Sequence, residues 1–210
     1  MTDPTSRVSA AVGRALDDRQ REATEEVERI LNATVLVIQR VAPEPPRVSD
    51  IVAEANSSNK AFYRYFAGKD ELMLAVMERG VAIATSYLEH QMAKETDPAA
   101  KIVRWIEGSL AQIADPHLIT FSRAAISQMS ASANQQLADG EIMAPMRALL
   151  TEPVVALGRP DPERDADTVF QCTTGTVRRY VGSGHRPDRA DVDHLVAFCM
   201  RGLGLPTLTG

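Results

Sequence analysis

The chain has 210 residues, 44% of them hydrophobic, which is ample apolar material for a packed core in one large domain or a small one joined to a larger one. Its formal net charge is −5, with 10 basic against 11 acidic residues up to Asp70 and 13 against 17 beyond it. A broadly basic nucleic-acid binder is therefore excluded, and any affinity for a polyanion must come from local placement of a few cations.

Residues 1–18 contain Pro4, Gly13 and several Ser and Thr with little periodicity, and are expected to form a flexible arm, helical at most from Val8 to Leu16. Arginines such as Arg7, Arg14 and Arg19 can reach a neighbouring minor groove; a solvated tail is the alternative. From Arg21 to Val41, the spacing of Val27, Ile30, Leu31, Thr34, Val35 and Ile38 predicts an amphipathic helix, with Glu25, Glu26 and Glu28 on a solvated face. Pro43-Glu44-Pro45-Pro46 ends it. Val48, Ile51 and Val52 predict a short helix, and Asn56 suits a tight left-handed turn. Ser58 is then a good N-cap for a helix from Asn59. Two short helices joined by such a turn suggest helix-turn-helix, whose second helix enters the major groove of DNA.

In that second helix Asn59, Lys60 and Ala61 occupy the first turn, where side chains reach base edges. Phe62 and Phe66, four apart, anchor the helix, which leaves Tyr63, Arg64 and Tyr65 for phosphate oxygens. Lys69 opens the next helix, where free N–H groups and the helix dipole also favour a phosphate.

The pattern Val48-x-Asp50-Ile51, Ser58-x-x-x-Phe62-Tyr63-x-Tyr65-Phe66, Lys69-x-x-Leu72 resembles the DNA-binding signature of TetR-family (AcrR-like) one-component repressors, over about residues 25 to 78. Three positions depart from it. Asn56 replaces the turn glycine; Ser57 replaces the valine that usually follows, which should weaken packing inside the motif; and Arg47 stands where the family has a capping threonine, offering a phosphate contact instead. The resemblance implies a three-helix DNA-binding head over 19–69 and a helical ligand-binding and dimerisation domain over 70–210. It assigns DNA contact to Arg47, Ser49, Ser58, Asn59, Lys60, Ala61, Tyr63, Arg64, Tyr65 and Lys69.

Beyond Lys69 a long helix is expected to about Lys94, with Gly80 permitting close packing or a bend. Asp97-Pro98, Asp115-Pro116 and Asp161-Pro162 each place an N-cap before a first-turn proline, announcing helices to about Ala114, Ser132 and Val181. Glu141 to Leu157 reads as one more, and a last helix runs from about Asp188 to Leu203. With about nine helices and no strand pattern, the fold class is all-α.

Trp105, Phe121, Met129, Met143, Met146, Phe170, Thr173 and Tyr180 are the candidate lining of a ligand pocket, Met being adaptable to ligands of variable shape. The run Thr173-Thr174-Gly175-Thr176 either lets another helix approach or leaves room for hydroxyls to bind a ligand. In the last helix the apolar stripe Val192, Leu195, Val196, Cys199, Met200 and Leu203 is too wide for one neighbour, and no later element can cover it. A symmetric partner is the expected cover, making a four-helix dimer interface with the preceding helix. Cys172 and Cys199, the only cysteines, read as small buried hydrophobes.

No phosphate-binding glycine loop, dinucleotide fingerprint or nucleophile elbow is present. Asp191 and His194 share an i,i+3 spacing but lack a third metal ligand. No apolar run approaches the ~18 residues of a membrane span, and no secretory leader precedes the first helix. The expectation is a cytoplasmic, ligand-responsive transcriptional regulator without catalytic activity, metal or cofactor. It would be a homodimeric repressor released from a palindromic double-stranded operator by a small molecule. The alternative is an all-helical enzyme or partner-binding protein that keeps the head as scaffold.

Overall fold

The computed structural model describes residues 4–42, 44–113 and 141–205. Its described elements are all helical: α1 (Pro4–Val41), α2 (Val48–Glu54), α3 (Asn59–Tyr65), α4 (Lys69–Met92), α5 (Pro98–Gln112), α6 (Ala144–Ala148), α7 (Thr151–Ala156), α8 (Pro162–Ser183) and α9 (Arg189–Gly202). The chain divides into two compact units, Met1–Leu72 and Met73–Gly210, three residues beyond the expected boundary. The helix expected after Asp115-Pro116 lies outside the described residues.

The first unit is a small head. Ile30, Leu31, Val37 and Ile38 of α1, Ile51 and Val52 of α2, Phe62 of α3, then Phe66 and Leu72 are buried. Phe62 meets Phe66 at a ring-centroid distance of 5.7 Å, so the two aromatics anchor α3 as their spacing predicts. The expected flexible arm is not what forms. Residues 4–18 continue α1 without a break, because only Gly13 in that stretch is a weak helix former past the first turn, and the first-turn position of Pro4 tolerates a missing N–H.

The second unit packs Leu88 and Met92 of α4, Ile102, Trp105, Ile106 and Leu110 of α5, Leu150, Val154 of α7 and the inner faces of α8 and α9 into one core. Two of the predicted Asp-Pro starts are built as read: Asp97 accepts from the Ala100 N–H at 2.8 Å and Asp161 from that of Arg164 at 3.4 Å. The single helix expected over 141–157 is instead two short ones broken at Leu149-Leu150. Pro153 explains the break, since it has no N–H to donate to the Leu149 carbonyl and its ring crowds that oxygen.

Burial also corrects the expected dimer surface. Leu195, Cys199, Met200 and Leu203 are buried in the chain's own core, and Val192 and Val196 pack half-buried against it. Helices α5 and α8 provide the cover that chain order seemed to deny to α9. The large apolar residue that α9 leaves outside is Phe198, 55% exposed.

Two helix glycines give a test of packing. A Cβ on Gly80 would meet nothing within 4 Å, whereas one on Gly108 would lie 2.5 Å from Cδ2 of the fully buried Leu88. Both Gly→Ala changes gain helix propensity, about 1 kcal/mol. Gly80→Ala is therefore expected to raise stability by about that amount. Gly108→Ala should fall below it by about 1 kcal/mol or more, because Leu88 must shift into packed neighbours. Urea midpoints of the two variants check this, and equal gains would contradict it.

Candidate nucleic-acid interface

The turn between α2 and α3 is closed by backbone chemistry. Asn56 takes φ +49, and the Ser57 N–H reaches back to the Val52 carbonyl at 2.9 Å, a helix-ending bond that needs a left-handed residue between. Ser58 then caps α3, its hydroxyl accepting the Ala61 N–H at 3.1 Å. Arg47, at the corresponding position of α2, makes no side-chain cap and is exposed.

With both ends fixed, α3 presents Asn59, Lys60, Tyr63 and Arg64 to solvent, Tyr63 at 62% exposure. Ser49 is exposed one helix earlier, and Lys69 is half-buried at the first turn of α4. These form the accessible part of the predicted set. Ala61 does not belong to it: the residue is 8% exposed and packs inward, so it cannot meet a base edge. The Ser58 hydroxyl is already engaged as the cap acceptor, which leaves its proton as the group free to donate.

Glu26 was the residue missed. Far from lying on a solvated face, its carboxylate is only 20% exposed and collects three donors from the helix-turn-helix. These are Ser57 Oγ at 3.0 Å, Tyr65 Oη at 2.9 Å and Arg64 Nη2. Arg64 also lies over the Tyr65 ring, 4.6 Å from its centroid. The Tyr65 hydroxyl, followed by Ser57 and Arg64, holds the Glu26 carboxyl below its ordinary value. The unusual Ser57 thus does not simply loosen the motif; it exchanges an apolar contact for a hydrogen bond to α1. The signal in the sequence was the pairing of that serine with an acid on α1, which periodicity alone does not reveal.

A family profile described as "Bacterial regulatory proteins, tetR family" matches residues 30–76, the stretch that holds α2, α3 and their packing partners. The head is a TetR-family DNA-binding domain. The TetR-type architecture extends over most of the chain. A TetR transcriptional regulator from Rhodococcus sp. RHA1 superposes with a TM-score of 0.64, covering 90% of this chain and 100% of that one at 15% identity. FadR from Bacillus subtilis, solved with stearoyl-CoA, gives 0.59 over 86% and 97% at 19% identity. LfrR from Mycobacterium smegmatis, solved with proflavine, gives 0.53 over 85% and 96% at 17% identity. At such identities these likenesses establish the fold. No curated protein matches the chain.

Of the eight pocket candidates, Phe121 and Met129 lie outside the described residues. Trp105 is fully buried, its Nε1–H donating to the Met146 carbonyl at 3.0 Å and its ring 6.1 Å from Phe170, so both rings are core. Met146 is buried and Met143 packs half-buried against the same core. Thr173 and Thr174 donate to the carbonyls of Val169 and Phe170 at 2.9 and 2.8 Å, and Thr176 to that of Cys172, so these hydroxyls serve their own helix. The Tyr180 phenol is held above its ordinary range chiefly by its hydrogen bond to Asp191, then by burial. Asp191, read beside His194 as a metal pair, instead joins Tyr180 and the capping box of α9 with Asp188. A small open cleft between α8 and α9 is lined by Thr168, Cys172, Phe198 and Cys199 and by none of the eight candidates. Burial pushes the Cys199 thiol up to about 12.

Among the described residues, no three metal-binding side chains cluster and no helix is long and apolar enough to cross a membrane.

Proposed function

We propose that the protein is a ligand-responsive transcriptional regulator, a homodimeric repressor that leaves a palindromic operator when a small molecule binds its second unit. The observation that carries this is the exposed first turn of α3, with Asn59 and Lys60 held outward by the Ser58 cap. Asparagine pairs with adenine in a bidentate manner and lysine donates to guanine acceptors, so these two read base edges. Arg47, Ser49, Tyr63 and Lys69 supply phosphate contacts that set position and register, while Glu26 holds Arg64 and Tyr65 back. One seven-residue helix buries too little surface for specificity, whereas two in a symmetric dimer read half-sites about one helical turn apart.

The dimer surface is the outer face of α8 and α9. Thr168, Gln171, Gly175 and Gly182 lie exposed along α8, and Phe198 projects from α9. An isologous contact would seat each Phe198 against the other subunit's small residues. The effector is a small molecule; two proteins of this architecture were solved with such ligands, stearoyl-CoA and proflavine. The protein works in the cytoplasm and is not an enzyme.

Fluorescence anisotropy with labelled duplexes tiling the DNA upstream of its own gene tests the proposal. Specific binding to one duplex at physiological salt is expected, and uniform weak binding to all of them would overturn it. Within the specific complex, Lys69→Ala should weaken every sequence alike and flatten the salt dependence by about one phosphate per head. A changed sequence preference with the salt slope untouched would instead make Lys69 a base reader.

A further inference from the structure

The chain has two cysteines in 210 residues, and the hairpin of α8 and α9 brings them together. Residues 184–188 join the two helices, which run antiparallel with contacts at both ends. Near the turn the Tyr180 hydroxyl bonds to Asp191. At the far end Arg159, just before α8, donates to the Gly202 carbonyl at 3.4 Å. Cys172 lies eight residues before Tyr180, and Cys199 eight residues after Asp191. At a rise of 1.5 Å per residue, both stand about 12 Å along the hairpin from that hydrogen bond, at one height.

The two also share a face. Both line the small cleft that opens between α8 and α9, beside Thr168, Phe198 and Gly202. The Cys199 thiol is near enough to Cys172 to interact with it by hydrogen bonding and by charge. Their surroundings differ, since Cys172 is half-buried at the wall of the cleft and Cys199 is buried. Burial keeps the Cys199 thiol protonated at neutral pH, so Cys172 is the sulfur that a reagent in the cleft meets first. Asp165 lines the same cleft, but Arg159 holds its carboxylate at 2.8 Å, and among the described residues no three metal-binding side chains gather. The partner at hand for each thiol is the other one.

We propose that Cys172 and Cys199 are an oxidisable pair that a peroxide closes to an intrachain disulfide between α8 and α9. With hydrogen peroxide, the Cys172 sulfur attacks one oxygen, the O–O bond breaks, and a sulfenic acid forms as the first water leaves. The Cys199 sulfur then attacks the Cys172 sulfur, the S–O bond breaks, and the hydroxyl departs with the Cys199 proton as a second water. Two thiols lose two electrons and one peroxide takes them. Because Cys199 must give up its proton to attack, the second step quickens as pH rises. The cleft lies on the face proposed for the dimer, whose partner would cover it. Given that dimer, oxidation proceeds through the separated chain and speeds up on dilution.

Hydrogen peroxide on the reduced full-length chain, over a range of protein concentrations, tests this. A non-reduced digest should yield one peptide pair joined through Cys172 and Cys199 and parted by dithiothreitol. Cys199→Ala should stop at the sulfenic acid, which dimedone labels at Cys172. Cys172→Ala should lose its remaining thiol about tenfold more slowly than Cys199→Ala does. In the wild-type chain, thiols that stay reduced at every dilution would overturn the proposal. So would chains linked Cys172 to Cys172, or Cys172 carried on to sulfinic acid with Cys199 still reduced. An intrachain disulfide that forms at a rate indifferent to dilution would uphold the pair and move the dimer off this face.

Discussion

Phe198→Glu is expected to leave the fold intact, dissociate the protein to monomers and abolish operator binding. Phe198 is 55% exposed in the single chain, so a glutamate there keeps access to water and costs the core little. In the proposed dimer the same position is desolvated in both subunits. Loss of two aromatic anchors, at about 2 kcal/mol each, shifts the dissociation constant about a thousandfold. Burying two unpaired carboxylates would add to that. Leu195→Glu behaves differently: that side chain is 8% exposed and belongs to the core, so the charge should unfold the chain before it separates subunits. Sedimentation velocity with far-UV circular dichroism distinguishes the cases. A helical Phe198→Glu protein that remains a dimer of unchanged affinity would exclude this face.

The elements visible in the sequence were those with a strong local code. Asn56 tolerates a left-handed backbone, Ser58 accepts a cap hydrogen bond, and Asp97 and Asp161 precede prolines, each within a few residues of the geometry it specifies. The misreadings share a different cause. Leu195 and Met200 were assigned to a partner because chain order hides that α5, eighty residues earlier, returns to cover them. The break at Leu149-Leu150 was masked by an apolar spacing that persists through it, although Pro153 was present to mark it. Residues 4–18 looked irregular because their apolar positions lack a partner within the chain, while their helix propensity was adequate throughout. Gly108 gave no sign of its contact with Leu88, which only the packing of α4 against α5 creates. In the interface, residue type alone suggests Tyr65 and Arg64 as phosphate ligands, but their engagement with an acid thirty-nine and thirty-eight positions away was not legible.

That acid leads to the second large effect. Glu26→Gln is expected to raise DNA affinity while lowering the stability of the head. The Glu26 carboxylate holds the groups that a backbone phosphate would hold: a phenolic hydroxyl, a guanidinium and a serine hydroxyl. An anion placed there competes with DNA for Arg64 and also repels the phosphates directly. The amide retains an oxygen acceptor for one of the two hydroxyls, Tyr65 or Ser57, and its NH2 donates to the other. It releases the charge of Arg64, whose side chain is 60% exposed and able to turn outward. One further phosphate contact per head, at about 1 kcal/mol each, makes a dimer bind about thirtyfold more tightly. The salt slope should steepen by about 1.8. All sequences should gain alike, because phosphates carry no sequence information. The stability change has the opposite sign and a pH signature. Since the folded head depresses this carboxyl, its stabilising contribution is complete above the ordinary value of 4.5 and is lost as pH falls below it. The variant should therefore be less stable than wild type at neutral pH, with the gap closing in acid. The double change Glu26→Gln with Arg64→Ala should cancel the gain in affinity, since the released cation is absent. If Glu26→Gln weakened binding, or strengthened it without moving the salt slope, Glu26 would be a brace that orients Arg64 for DNA and not a competitor for it.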